Sequence, residues 1–267
     1  MAAEKDHRLV VEHQHVVEMD YSTHGLNGLV SLGAYFERCR FDGLRFQEVA
    51  LGAGMEQSQF VQCSFDNVVL RGSTGYSRFV GCTFRNTDIR DLTADYLELV
   101  DCIFTGRIGS TTFWGAPPPG SDRRFASDLA FLQKQGRPEP PGYRALALRE
   151  SNDFHGNDFS GADLTDVAFR HGVDLSQQRL PTGADYLYLP DAEATLHRAL
   201  TLLADRPADD LSARVERTLR RILDREIGNG QRQLLFREAD YLSRGVLKPH
   251  TRLMFDLLRE AAAGSGS

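Results

Sequence analysis

The sequence predicts a mainly β chain wound into a four-sided parallel β-helix. An inserted loop with a short helix interrupts it, and an α-helical C-terminal region follows. Three observations carry this prediction. Each of the four cysteines, Cys39, Cys63, Cys82 and Cys102, is followed at +2 by a phenylalanine, although Phe is only 16 of 267 residues. Those cysteines stand 24, 19 and 20 residues apart, so the chain repeats itself about every twenty residues. Within that repeat, large apolar residues recur every five positions, a period that fits neither a helix nor a flat strand.

The N-terminal segment, 1–30, reads as a strand or cap. Its steps Val11, Val16, Tyr21 and Leu26 extend the five-residue register backwards, and Ser31 breaks it. The main body, 31–108, carries the register in three runs. The first is Phe36, Phe41, Phe46 and Leu51, the second Phe60, Phe65 and Leu70, and the third Phe79, Phe84, Ile89, Ala94, Leu99 and Phe104. Two positions before each centre the residue is mostly small: Cys39, Cys63, Cys82 and Cys102 are the clearest cases. The other three positions of each five are largely polar. A chain that turns a corner every five residues accounts for this, with one large and one small side chain inward and three outward. Four sides make a coil of twenty. Successive coils stack like parallel strands, roughly 4.8 Å apart, so the large residues form ladders in which offset aromatic contacts add to burial. The 24-residue step contains Gly52-Ala53-Gly54, which predicts a four-residue loop out of a corner or a shift to the next face. The 19-residue step has Gly72 and Gly75 at its defect.

These residues resemble the pentapeptide repeat family, whose signature is A-(D/N)-L-x-x. The stretch NDFSGADLTDVAF at 157–169 is the best local match. The resemblance covers 36–104 and 152–169 and implies that the four-sided β-helix is right-handed. The five-residue period itself gives the predicted core ladder: Phe36, Cys39, Phe41, Phe46, Phe60, Cys63, Phe65, Phe79, Cys82, Phe84, Cys102, Phe104, and, in a final coil over 151–180, Phe154, Phe159, Leu164 and Phe169.

Residues 109–150 read as an insertion. WGAPPPG and GRPEPPG punctuate its ends. Between them Phe125, Leu129 and Leu132 are spaced as one face of a short helix, with Ser127-Asp128 as capping residues. A long insertion in a repeat protein maps to one face and is often its binding element. Trp114, Arg123 and Arg124 are therefore candidate partner-binding residues. Trp114 also suits an anchor of the insert to the solenoid flank. From Asp191 the period becomes helical. One helix uses Ala192, Leu196, Ala199, Leu200 and Leu203, and a second opens at Asp209-Asp210 and uses Leu211, Val215, Leu219, Ile222 and Leu223. A third is predicted over 231–244 and a fourth from Pro249, with Leu253, Leu257 and Leu258. This region, 181–262, is compatible with a cap on the last coil, a small bundle or a homodimer contact. Residues 263–267 read as a tag remnant.

Composition narrows the function. The net charge of −6 is mild and no basic footprint for nucleic acid stands out. No apolar run approaches membrane-span length, and no signal peptide begins the chain, which points to a reduced, cytoplasmic protein. The cysteine spacing matches no zinc site. His13 and His15 read as a surface pair. Arg214, Arg217, Arg221 and Arg225 read as a solvated helix face with internal ion pairs. No catalytic motif and no cofactor-binding motif is found, and a cylinder filled by its own side chains leaves no catalytic pocket. The expectation is a non-enzymatic binding or scaffold protein with a protein partner, no membrane and no direct nucleic acid. Some proteins resembling this family mimic duplex DNA and act on a type II topoisomerase. The acidic coil with Asp153, Asp158, Asp163 and Asp166 is compatible with that partner, and the near-balanced charge of 31–108 speaks against it. Any enzymatic site would lie in the insert or the helical tail.

Overall fold

The computed structural model describes residues 7–264. Residues 1–6 of the N-terminal segment and 265–267 of the tail read as a tag remnant lie outside the described residues. The chain divides into two compact units. One runs up to Ala168 and takes in Gln177–Pro181; the other comprises Phe169–Ser176 and the chain from Thr182 onwards.

The first unit is a parallel β-solenoid, the fold implied by the five-residue period and the family resemblance. The register sorts its centres into four columns. One runs Val11, Ser31, Leu51, Thr74, Ala94, Phe113. The next runs Val16, Phe36, Phe60, Phe79, Leu99, Phe154. The third runs Tyr21, Phe41, Phe65, Phe84, Phe104, Phe159. The fourth holds Phe46, Leu70, Ile89 and Ile108. Ser31 does not break the register. It is fully buried, and its hydroxyl donates to the Leu51 carbonyl at 2.8 Å, so a polar residue occupies an inward slot with its hydrogen bond satisfied.

The third column is a continuous aromatic stack. Centroid spacings from Tyr21 to Phe159 are 5.0, 4.8, 5.1, 4.8 and 4.7 Å. Phe36, Phe60 and Phe79 stack at 4.8 and 4.5 Å in the second column and meet the third edge to face, as in Phe60 against Phe65 at 5.8 Å. Both geometries are those that the ring quadrupole favours. Between these walls lies a void of about 20 Å³, lined by apolar residues such as Phe84, Leu97 and Leu99. An apolar void of that size stays dry.

The cysteine position is more specific than its smallness suggests. The Cys39, Cys63, Cys82 and Cys102 thiols donate to the carbonyls of Val16, Phe36, Phe60 and Phe79 at 3.5, 3.6, 3.2 and 3.6 Å. In the next coil the slot holds Asn157, whose amide donates to the Leu99 carbonyl at 2.9 Å; after it Gln178 donates to the Phe154 carbonyl at 3.1 Å. Each side chain therefore caps a carbonyl of the adjoining column in the coil below. Thiol and carboxamide share that ability, and an alanine there would lack it. Burial pushes the Cys82 thiol well up, and the neighbouring Cys63 thiol together with burial pushes Cys39 up, so both stay protonated.

Both irregular steps have local causes. The 24-residue step is a loop over 52–57 out of one corner, with no change of face, since Phe36 pairs with Phe60. The 19-residue step is a register shift between Leu70 and Gly72. Gly72 sits at φ +125, and a Cβ there would lie 2.3 Å from the Val49 carbonyl oxygen, so no larger residue fits.

The strand Ile103–Trp114 continues through residues read from the sequence as the start of the insertion. The insert proper leaves after Trp114 and returns at Phe154. It contains helix α1, Ser121–Lys134, and the short helix α2, Tyr143–Ala147. Helix α1 begins six residues before the expected cap at Ser127-Asp128. Gly120, at φ 92, turns the chain, and the Ser121 hydroxyl donates to the Pro118 carbonyl at 2.6 Å, so the Pro-Gly turn itself nucleates the helix.

The second unit holds α3, Ala192–Ala204, α4, Asp210–Arg225, and α5, Pro249–Ala263. Asp191 and Asp209 cap α3 and α4 by accepting from the amides of Ala194 and Ser212 at 3.1 and 2.7 Å. The core packs Leu196, Ala199, Val215, Leu219, Phe255 and Leu258. The helix expected over 231–244 is absent. Leu234–Arg237 is instead a strand paired antiparallel with Tyr186–Leu189, and Leu242–Ser243 pairs with Val246–Leu247. Leu234 and Phe236 are buried on alternate positions, the period of two of a strand and not the 3.6 of a helix. Phe169, expected in the solenoid ladder, is buried and falls within this unit. No helix among the described residues is long and apolar enough to cross a membrane.

Candidate interaction surface

The insert and the 52–57 loop leave the solenoid at the same corner, between the first and second columns. That coincidence builds the candidate site. Tyr76 and Tyr96 stand 20 residues apart at outward positions, one coil above the other, with centroids 4.6 Å apart. Outward aromatics of this size need a cover, and the insert provides it. Phe125 of α1 and Tyr143 of α2 close over them, with Ala147 buried below and Met55 of the corner loop at the edge. The Tyr96 hydroxyl and the Ser121 hydroxyl are hydrogen-bonded at 2.9 Å, and the Tyr143 hydroxyl is bonded to the Asp128 carboxylate. Burial, reinforced by Asp128, pushes the Tyr143 phenol up.

A buried polar network closes the root of the insert. The Asn152 amide N–H donates to the Gly115 carbonyl at 2.7 Å, and its side chain donates to the Trp114 carbonyl at 2.8 Å, so one residue ties the departing and returning strands. Arg149 donates to the Asn152 side chain at 2.8 Å and to the Tyr96 carbonyl at 2.6 Å. It lies 3.5 Å from the Glu98 carboxylate, and the two side chains are only 12% and 9% exposed. Glu98 is also bonded to Arg78 at 2.9 Å and to Gln57 of the corner loop at 2.9 Å, while Arg78 reaches Asp153 at 2.6 Å. Burial pushes the Arg149 guanidinium down, opposed by Glu98. A buried charge network of this kind costs desolvation and is held only because its donors are satisfied.

The sequence-derived candidates separate here into structural and exposed groups. Trp114 is half-buried at the root of the insert and belongs to the anchor. The Arg124 guanidinium lies 5.1 Å over the Tyr96 ring and 5.9 Å over Tyr76, a cation–π contact within the dock. Arg123 is exposed on α1. Asp153 is paired with Arg78 and lies 3.0 Å from the His155 ring nitrogen. Asp158 pairs with Arg179 at 3.2 Å and accepts from Ser160, whose hydrogen bonds hold its carboxyl below the usual range. Asp163 and Asp166 are exposed. The acidic coil is therefore partly neutralised from its own neighbourhood. His13 and His15 face different carboxylates, Glu56 at 3.0 Å and Glu37 at 3.3 Å. Charge pairing between coils is general: Arg40 with Asp20, Arg38 with Glu18, and Arg85 with Asp66.

Sequence reasoning missed Tyr76, Tyr96, Glu98, Arg149 and Asn152. The twenty-residue spacing of the two tyrosines, at positions that should face water, was the available signal. Beside the dock, a groove of about 280 Å³ opens between α1 and the corner loop. Met55, Leu132 and Pro140 line it, and Phe131 lies at its lip, 56% exposed.

No protein-family model matches the chain, and no curated protein does. Among solved structures, one similar chain is QnrB1, described as a plasmid-mediated fluoroquinolone resistance protein. It shares 12% identity over 64% of this chain and 79% of that one, with a TM-score of 0.21. The solenoid is established here by its strand register, and nothing further rests on that similarity.

Proposed function

We propose that the chain is a non-enzymatic binding protein whose solenoid is a rigid support for the docked insert, and that a protein partner is recognised there. The observation that carries this reading is the filled core. With an apolar void of only about 20 Å³, the β-helix offers outer faces and no interior chemistry. The clamped insert, with the corner loop, adds irregular relief to those faces, a groove with an exposed Phe131 beside it. An aromatic anchor seated next to a preformed groove suits a hot spot for a partner's apolar side chain.

The test is capture of a partner from the native host by the full-length chain, compared with Phe131→Asp and with Arg179→Glu on a distant coil. The expected result is a partner recovered by the parent chain and by Arg179→Glu, and lost with Phe131→Asp at an unchanged melting temperature. Equal recovery with all three chains removes the insert from recognition. Turnover of a substrate that a single substitution abolishes removes the non-enzymatic reading. Action as a duplex-DNA mimic on a type II topoisomerase draws less support, because the acidic residues of the coils are so often paired with arginines across or within coils. A gyrase supercoiling assay separates the two readings: inhibition or protection at micromolar protein, retained in Phe131→Asp, would favour the mimic.

A further inference from the structure

We infer that the second unit carries an anion site for a small molecule with two or more phosphoryl groups, in a cleft between α4 and the start of α5. Arg214, Arg217 and Arg221 follow one another at three- and four-residue steps along α4, so they form one stripe on the face opposite the buried Val215 and Leu219. Thr218 lies within the stripe. His250, the second residue of α5, completes the lining of an open cleft of about 490 Å³. No carboxylate lines it. Elsewhere on the same helix Arg220 is neutralised by Glu216 at 2.8 Å, whereas Arg214, Arg217 and Arg221 have no ion-pair partner among the described residues.

Three uncompensated guanidiniums within two helical turns repel one another and weaken the helix unless an anion bridges them. Their planar forks match phosphoryl oxygens two at a time, as they do carboxylate oxygens, and a phosphoryl group brings a further acceptor oxygen and more charge to three neighbouring guanidiniums. The start of α5 adds the positive end of its dipole, although the Thr251 and Arg252 N–H groups are already donated to the Lys248 carbonyl at 2.9 and 3.0 Å. The volume exceeds what one phosphate fills, and three arginines offer more donors than one phosphate accepts, so a diphosphate or triphosphate fits best. The inference is independent of the partner reading, which concerns the other unit.

The test is titration calorimetry of the full-length chain with tripolyphosphate, pyrophosphate and inorganic phosphate at fixed ionic strength. Saturable binding is expected, with tripolyphosphate about tenfold or more tighter than phosphate. The Arg217→Gln/Arg221→Gln double variant should weaken it by at least about tenfold, and Arg220→Gln should leave it unchanged. All these side chains are exposed, so matching circular dichroism spectra and melting temperatures will show that the variants fold. Absence of saturable heat at millimolar tripolyphosphate overturns the site, as does equal binding by the double variant. Tighter binding of an oligonucleotide than of tripolyphosphate at equal salt also overturns it and assigns the stripe to a nucleic-acid backbone.

Discussion

Truncating Phe84 tests the inside–outside assignment on which the solenoid rests. Phe84 is 4% exposed and lies between Phe65 at 5.1 Å and Phe104 at 4.8 Å, with Phe79 edge-on at 5.6 Å. Its ring removes about 200 Å² from water, worth about 5 kcal/mol at the usual coefficient as an upper bound. Measured Phe→Ala losses of about 3–5 kcal/mol bracket that figure. The upper half of the range is expected, because hydrogen-bonded coils above and below prevent collapse and the ring already borders the core void. Arg85, the next residue, faces outward. Its side chain is 52% exposed and has one long ion pair to Asp66 at 3.4 Å. Its backbone N–H is held by the same carboxylate at 2.8 Å and would survive substitution. Arg85→Ala should therefore cost about 0.5 kcal/mol or less. Urea unfolding followed by far-UV circular dichroism measures both. Comparable losses at the two positions, or less than about 1 kcal/mol at Phe84, would refute the alternation of inward and outward residues.

Three further outcomes follow from the geometry. Gly72→Ala should cost about 3 kcal/mol or more, or prevent folding, because its Cβ meets the Val49 backbone at 2.3 Å; Gly43→Ala, at φ +71 with open space, should cost only about 1–2 kcal/mol, and equal midpoints would contradict the difference. Arg149→Met should remove one of the three partners of the buried Glu98 and the donor of the Tyr96 carbonyl and the Asn152 side chain, at a cost of about 3 kcal/mol to the dock. The emission of Trp114, the only tryptophan, should then shift to the red and protease should cut within 115–150 while the solenoid persists; a spectrum and digest like those of the parent chain would show that the network does not hold the insert. Raised thiol pKa values mean that above about pH 8.5 the native state holds protons at Cys39 and Cys82 that the unfolded chain has lost. The contribution of these two thiols should be flat below that pH and fall above it, by up to about 1.4 kcal/mol per pH unit for each; Cys63, which hydrogen bonds from the Cys39 and Cys82 thiols pull down to about 4, adds no slope above about pH 8.5. A urea midpoint unchanged between pH 8 and pH 10 would show that Cys39 and Cys82 are not held protonated in the native state.

The period of five was legible because each coil writes the same local rule into the chain: a corner, a large inward residue and a short one two places earlier. Column membership of Phe36, Phe60 and Phe79, or of Phe65, Phe84 and Phe104, follows from spacing alone once the two defects are located. Spacing also gave the positions of the defects, though only the register told a corner loop at 52–57 from a change of face. The thiol ladder was visible as a pattern, but its purpose was not. That Asn157 and Gln178 continue it depends on a carbonyl one coil below, and on distances of 2.9 and 3.1 Å that no window of sequence contains.

What tertiary structure alone decided is wherever the partner of a segment lies far along the chain. Leu234–Arg237 became a strand because Tyr186–Leu189 offered an edge about fifty residues away. Tyr76 and Tyr96 became a dock because an insert returning through Arg149 and Asn152 covers them. Of the five arginines of α4, three proved to line one cleft and a fourth, Arg220, to make an ion pair, according to what α5 and Glu216 place beside them. Side-chain period along a chain is set by backbone geometry and needs only neighbours in sequence. Burial of an outward residue, and the satisfaction of a charge, need neighbours in space.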